Sequence, residues 1–254
     1  MQSLLVIVCV VLIPIAQSHS WIACAKYSGS IDNYDESQCE AFARGYYSYS
    51  SSYFGLDRGF NHRLSYQDPV CKVDYTEKAY GGSMGPLRIQ GENSERIRLI
   101  WPAKNHVSDK CTNPYIPDRQ LKLYANCQYA RENPSLQNFL TGAQLLWDFK
   151  RDGTAKGFQQ CVNFCANPDK AVCYGDVTIP KLPYNECLLV WLWEFNANEF
   201  YTSCIDTFPK APSNTKLTST TTVVPTTKNV SKCVLTSYLK SCERNLNRFK
   251  KQNC

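Results

Sequence analysis

Histidine is scarce in this sequence, with three copies in 254 residues, and methionine is scarcer, with two. Charge is thin as well. Asp, Glu, Lys and Arg together make up 20% of the chain, against 43% hydrophobic residues. That balance excludes a disordered or collagenous polymer, because the chain has ample apolar surface to bury. Long hydrophobic runs are also missing. Leu4 to Ile15 is apolar apart from Pro14, but its twelve residues are too few to span a bilayer, and no other segment reaches about eighteen. No Ser–His–Asp or Cys–His nucleophile set is visible, and no spacing marks a pair of carboxylates for glycoside hydrolysis. No internal repeat divides the chain.

What the sequence does have is 14 Cys, 16 Tyr, 11 Phe and 5 Trp. Many cysteines and aromatics with few charges fit a secreted all-β protein better than a cytosolic helical enzyme. The run Leu4–Ile15 is followed by Ala16-Gln17-Ser18, small at its first and third positions. Residues 1–18 therefore read as a secretory signal peptide, although its start lacks Lys and Arg. On that reading the mature, extracellular chain begins at His19 and Cys9 leaves with the signal. Ten of the remaining cysteines lie between Cys24 and Cys204, an even number that allows five disulfides. Cys233, Cys242 and Cys254 come after them, so at least one mature thiol lacks a partner within the chain. Zinc is the weaker reading: Cys161-x-x-x-Cys165 is the one tight pair, and no histidine lies nearby to complete a site.

Residues 209–232 are rich in Thr, Ser, Pro and Lys with little to bury, which predicts a linker. It contains the one acceptable N-glycosylation sequon, Asn229-Val230-Ser231. Residues 233–254 form a small basic tail that could hold a short helix, with Val234, Tyr238 and Leu239 at helical spacing. Of the net charge of +6, the linker carries +4 and the tail +4, leaving −2 for the rest. The basicity belongs to the appendage, which would draw an acidic polymer toward the protein; no nucleic-acid or membrane partner is expected. The chain reads as a monomer, with the odd tail cysteine able to pair between chains.

Within 19–208 the clearest strands are Arg96–Trp101, Gln120–Tyr124 and Cys187–Phe195. The last is a continuous apolar run of strand length, as in a sandwich core. Leu136, Phe139, Leu140, Ala143 and Trp147 follow helical spacing after Ser135, but Gly142 interrupts them and Asp148-Phe149-Lys150 could begin a strand. Short strands, long loops and many cysteines predict an all-β, disulfide-rich, immunoglobulin-like β-sandwich with a small C-terminal tail.

The three histidines are His19, His62 and His106. An N-terminal histidine offers two nitrogens from one residue, the free amine and ring Nδ1. A second histidine brought across the fold would supply a third. Three nitrogens in one plane suit Cu(II), whereas zinc would want a tetrahedral fourth ligand.

The stretch His19-Ser20-Trp21-Ile22-Ala23-Cys24 resembles the processed start of lytic polysaccharide monooxygenases, whose N-terminal histidine forms half of a copper-binding histidine brace. Ile100-Trp101-Pro102-Ala103-Lys104-Asn105-His106, Gly157-Phe158-Gln159-Gln160-Cys161 and Trp191-Leu192-Trp193-Glu194-Phe195, leading to Tyr201-Thr202-Ser203-Cys204-Ile205-Asp206, are similar to further segments of that superfamily. Together they most resemble its oomycete-type group, auxiliary activity family 17, over about residues 19–208. The resemblance implies His19, His106 and Tyr201 as copper ligands, Tyr201 being axial. It also implies that Glu199, two residues before Tyr201 and on the same face of an extended strand, sits beside the oxygen site as a proton relay. The plainer alternative is that Tyr201 packs the core and Glu199 is solvated. His62, in Gly59-Phe60-Asn61-His62-Arg63, is the competitor for the brace and reads instead as a loop residue. The cluster Tyr46–Tyr53 reads equally as a sugar-stacking surface or an ordinary edge strand.

The implied function is a secreted, copper-dependent monooxygenase or peroxygenase. It would use an external reductant with H2O2 or O2 to cleave plant cell-wall polysaccharide oxidatively, with pectin (homogalacturonan) attacked at carbon 4. Two alternatives stand beside it: a non-catalytic secreted copper-binding protein, and a metal-free glycan-binding or host-interaction module.

Overall fold

In the computed structural model the described residues are 20–46, 60–76, 80, 85–90, 93–104, 106–107, 111, 119–149, 158, 161–167, 171–184 and 186–210. His19, the signal segment, the linker, the tail and most of the Tyr46–Tyr53 cluster lie outside them. The chain divides into Met1–Ala211, which holds every described residue, and Pro212–Cys254.

The described elements run in the order β1 (Lys26–Tyr27), β2 (Cys39–Ala41), β3 (Phe60–Leu64), β4 (Leu87–Ile89), β5 (Glu95–Pro102), β6 (Gln120–Asn126), α1 (Leu136–Leu140), β7 (Gln144–Asp148), β8 (Val172–Ile179), β9 (Cys187–Glu194) and β10 (Phe200–Pro209). The larger sheet has the order β3-β10-β9-β6-β7, and β4 joins the far half of the β10 edge that β3 occupies. All its pairings are antiparallel except β4 with β10. Opposite it, β5 and β8 pair antiparallel, and the N-terminal segment is stitched to β5 by a bridge between Cys24 and Ile100.

β9 shows why the chain folds this way. Its alternate residues Leu189, Trp191 and Trp193 face Leu99 and Trp101 of β5 and Cys173 and Val177 of β8, which is the sandwich core. The intervening Leu188, Val190 and Leu192 pack on the other face against Leu136 and Phe139 of α1. Both faces are covered, so the strand needs no polar alternation and reads as a continuous apolar run. Each of these large side chains contributes roughly 1.5–3 kcal/mol through burial. The fold is an all-β, disulfide-rich sandwich.

All ten cysteines between Cys24 and Cys204 are paired: Cys24–Cys39, Cys71–Cys204, Cys111–Cys165, Cys127–Cys187 and Cys161–Cys173. The close pair Cys161 and Cys165 bonds outward to two different partners, which leaves no thiolate there for a metal. The helical spacing beyond Ser135 survives for one turn only. Ser135 caps α1 by accepting from Asn138 N, and Gly142 at φ 79° then turns the chain into β7, which pairs with β6. Ladder hydrogen bonds to β6 outweigh the weak helical preference of a segment broken by glycine.

One polar cluster is sealed inside. Arg44 meets Asp206 with Nε–Oδ2 at 2.6 Å and Nη2–Oδ1 at 2.5 Å, and donates from Nη1 to the Glu132 carbonyl at 2.7 Å. The Tyr80 hydroxyl donates to the same carboxylate. Burial, then the charge of Asp206, push the Tyr80 hydroxyl well above the usual phenol range, so it stays a donor.

Candidate metal centre

β5 ends at Pro102, and a sharp turn beyond it decides where His106 goes. Ala103 N donates to Ala171 O at 3.0 Å, Lys104 takes φ 48°, and His106 N donates back to Ala103 O at 3.2 Å. A non-glycine residue at positive φ reverses the chain here. The reversal folds His106 inward rather than along the strand, to 2% exposure. Its ring stands edge-on to Trp193, with centroids 4.4 Å apart at 78°, and to Phe195 at 5.0 Å and 87°. Phe158 closes a third side at 5.6 Å and donates its backbone N–H to the His106 carbonyl.

Trp193 is the common wall. Tyr201 lies opposite it in the β9–β10 register, and their rings are 4.6 Å apart at 33°. His106 and Tyr201 thus pack on the same indole, one from the β5 exit and one from β10. The connection between β9 and β10 turns through Asn198 at φ 60°, and Glu199 N donates to Asn196 O at 3.1 Å. This turn brings the Glu199 carboxylate onto the phenol. Tyr201 OH donates to Glu199 Oε1 at 2.7 Å, and Asn196 Nδ2 donates to Oε2 at 2.6 Å.

Arg63 completes the cluster. Phe200 registers with Leu64 but Tyr201 with His62, so Arg63 is the extra residue of a β-bulge, at φ 53°. The bulge turns its guanidinium toward Glu199, with Nε 3.5 Å from Oε1. Partial burial disfavours the charged Glu199 carboxylate, but the hydrogen bonds from Asn196 and Tyr201 and the charge of Arg63 outweigh it, and its pKa falls below the ordinary range. Tyr201 moves oppositely. Burial first, then the hydrogen bond and charge of Glu199, push its pKa up to about 12. The phenol is neutral and the carboxylate charged at any physiological pH.

The N-terminal segment is anchored beside this cluster. Ser20 Oγ donates to Pro102 O at 2.7 Å, Ile22 N donates to Ser203 Oγ at 3.1 Å, and Lys104 Nζ lies 5.3 Å from the Trp21 ring centre. Ser20 and Trp21 are fully buried.

Of the sequence-predicted residues, His106 and Tyr201 pack on Trp193, Glu199 is hydrogen-bonded to Tyr201, and His19 lies outside the described residues. Of the plainer reading, Tyr201 does pack in the core at 3% exposure, while Glu199 is part-buried and bound to the phenol rather than freely solvated. His62, expected in a loop, lies in β3 with its Cα registered opposite Tyr201, because the edge of β10 satisfies its backbone. Trp193 and Phe195 share one strand face at a spacing of two residues, a signal that pattern reading could have used. Arg63 and Asn196 carried no such signal, since a bulge and a hairpin turn bring them in.

Among the described residues no group of three His, Cys, Asp or Glu gathers to hold a metal. His106 offers an imidazole and Tyr201 a neutral phenol, donors of the kind copper takes.

No family model and no curated protein matches the chain. Among solved structures, an AA10 lytic polysaccharide monooxygenase from Streptomyces lividans overlaps 58% of this chain and 77% of its own, at 11% identity and TM-score 0.34. A Bacillus amyloliquefaciens CBM33 protein, solved in complex with Cu(I) after photoreduction, overlaps 51% of this chain at 11% identity and TM-score 0.29. The chain spans 58% of the length of the latter protein.

Proposed function

We propose that this chain is a secreted copper-dependent monooxygenase of the lytic polysaccharide type. It would start at His19 after removal of residues 1–18, with the catalytic domain over 19–208, a linker over 209–232 and a basic tail over 233–254. The observation that carries this reading is the convergence of buried His106 and Tyr201 on Trp193, beside a chain pinned at Ser20 to the strand that leads into His106. That pin lies one residue from the proposed mature terminus.

His106 would supply one ring nitrogen, and His19 its free amine and ring nitrogen. Tyr201 would offer its phenol oxygen. When bound, copper supplies the redox chemistry toward oxygen or peroxide that no protein side chain has. The chain's own contributions are more specific. Trp193, Phe195 and Phe158 fix the imidazole plane and keep water from it. Burial and the hydrogen bond to Glu199 hold the phenol proton on Tyr201 and so keep a neutral, weak donor there, while Asn196 fixes the Glu199 carboxylate. Glu199 itself stays ionised, anchored by Arg63. The substrate in this reading is plant cell-wall polysaccharide, with the homogalacturonan of pectin, cut at carbon 4, as the specific expectation.

The test is electron paramagnetic resonance of the mature chain loaded with Cu(II), beside a version carrying one extra glycine before His19. An amide nitrogen in place of the amine is a poor ligand, so the extended version should lose tight binding. Equal affinity in the two would remove the brace. Peroxide-driven release of oxidised oligogalacturonides then separates an enzyme from a copper buffer.

A further inference from the structure

Two segments distant in sequence meet beside the candidate centre. One is Ser20–Cys24, which follows the proposed mature terminus, and the other is the turn from Ala103 to Val107 that carries His106. Backbone bonds join the first segment to β5, with Ala23 N donating to Ile100 O and Ile100 N to Cys24 O, both at 2.9 Å. Closer to the terminus, side chains make the joins. Ser20 Oγ donates to Pro102 O at 2.7 Å, Ile22 N donates to Ser203 Oγ at 3.1 Å, and Lys104 Nζ stands over the Trp21 ring at 5.3 Å.

The backbone gives the Lys104 contact its significance. Lys104 sits at φ 48°, a left-handed conformation that favours glycine, yet the residue is a lysine. The flanks hold it there, with Ala103 N bonded to Ala171 O at 3.0 Å and His106 N to Ala103 O at 3.2 Å. The same strained turn that sends His106 inward therefore leaves the Lys104 ammonium over Trp21. Trp21 is fully buried and Lys104 half-buried. A cation over an indole face is attracted by the ring quadrupole, and the attraction grows as water is excluded.

We propose that Lys104 is a positioning residue: its ammonium clasps Trp21 and so holds the segment after His19 in register with the turn that carries His106. Ser203 closes the clasp from the other side, because its hydroxyl accepts from Ile22 N. Ile22 and Ser203 are both buried, so water does not readily replace that bond. Lys104 stands two residues before His106 and Ser203 two residues after Tyr201, and the two hold the adjacent residues Trp21 and Ile22. The candidate ligands on the β5 turn and on β10 are thus each tied to the N-terminal segment by a near neighbour. Ligands on separate segments bind a metal together only as well as those segments are held, because freedom lost on binding is subtracted from affinity. That consequence rests on the reading of His19 and His106 as ligands; the clasp itself does not.

Lys104→Met keeps the unbranched stem and removes the charge, and Lys104→Arg restores a cation that stacks on indole. All three side chains are unbranched at Cβ, so the backbone demand at φ 48° is the same for each. Native-state hydrogen exchange of the metal-free, full-length mature protein is read at the Ile22 and Ala23 amides, with Val190 and Trp191 of β9 as the reference for global stability. Lys104→Met should speed exchange at Ile22 and Ala23 about two- to fivefold relative to the reference, and Lys104→Arg should return it to the wild-type rate. Cu(II) affinity should follow the same order, falling about two- to fivefold in Lys104→Met and recovering in Lys104→Arg. The clasp is overturned if Lys104→Met exchanges like wild type, if Lys104→Arg fails to restore protection, or if the reference amides speed up equally. The positioning role is overturned if protection falls while copper affinity holds. Should the wild type bind no copper, the ligand reading alone fails, and exchange still decides the clasp.

Discussion

Tyr201 donates its hydroxyl to Glu199 at 2.7 Å, and this bond sets the division of labour in the candidate centre. Glu199 also accepts from Asn196 and faces Arg63, so it links the phenol to the hairpin. Replacing it by Gln removes a negative charge that disfavours the phenolate but leaves burial, the larger cause, in place. The pKa of Tyr201 should therefore drop from about 12 yet stay above its ordinary value of 10.0. Arg63→Gln should move it the other way, because the guanidinium favours the phenolate. Tyrosine Cζ shifts of 13C-labelled protein across alkaline pH report both; shifts of the same sign in the two variants would refute the scheme.

Arg63 itself is held by geometry more than by charge. Its side chain is 71% exposed, so the ion pair at 3.5 Å is worth little. Its φ of 53° is another matter, since left-handed backbone on a non-glycine residue costs about 1–3 kcal/mol and β-branched residues tolerate it least. Arg63→Gly should stay within about 1 kcal/mol of wild type, whereas Arg63→Val should lose about 1–3 kcal/mol. Urea unfolding of both variants checks this, and equal stabilities would mean that the bulge is not what constrains the position.

The strands were readable because β5, β6 and β9 carry long apolar or alternating runs, and the disulfide count followed from an even number of cysteines. His106 and Tyr201 were legible only through motif resemblance, since a lone histidine after a strand has no pattern of its own. What stayed hidden depends on single backbone reversals. The bulge at Arg63 and the inward fold at Lys104 are positive-φ positions that nothing local in the sequence marks, whereas the turn at Asn198 uses a residue type that tolerates positive φ. β7 was ambiguous for a related reason: its spacing fits a helix, and only pairing with β6 decides for a strand.

The buried cluster of Arg44, Asp206 and Tyr80 gives a prediction remote from the centre. Removing one charge leaves the other sealed without compensation, so Asp206→Asn should cost about 3–5 kcal/mol. Replacing all three polar groups (Arg44→Met, Asp206→Leu and Tyr80→Phe) removes the desolvation penalty together with the attraction, and should recover most of that loss. Denaturant titrations of the single and triple variants decide it. If the triple variant is no more stable than the single, the cluster contributes net stability and not only specificity.

The histidines offer the sharpest test of the metal reading, and the structure makes it harder than the sequence did. His62 is not remote: its Cα registers opposite Tyr201, so it is a real rival to His106 for the second nitrogen. What favours His106 is its fixed burial against Trp193, Phe195 and Phe158, which orients the imidazole rigidly. His106→Ala should weaken Cu(II) binding by about 100-fold or more, beyond the 10–100-fold typical of losing a supporting hydrogen bond, because a direct ligand is gone. It should also change the nitrogen hyperfine pattern in the paramagnetic resonance spectrum. His62→Ala should keep tight affinity and the same number of coupled nitrogens. Both variants must first show wild-type melting behaviour without metal, since His106 also fills a packed aromatic box. If His62→Ala loses a coupled nitrogen while His106→Ala keeps all of them, the second ligand comes from β3, and the β5 turn serves only to pack the core.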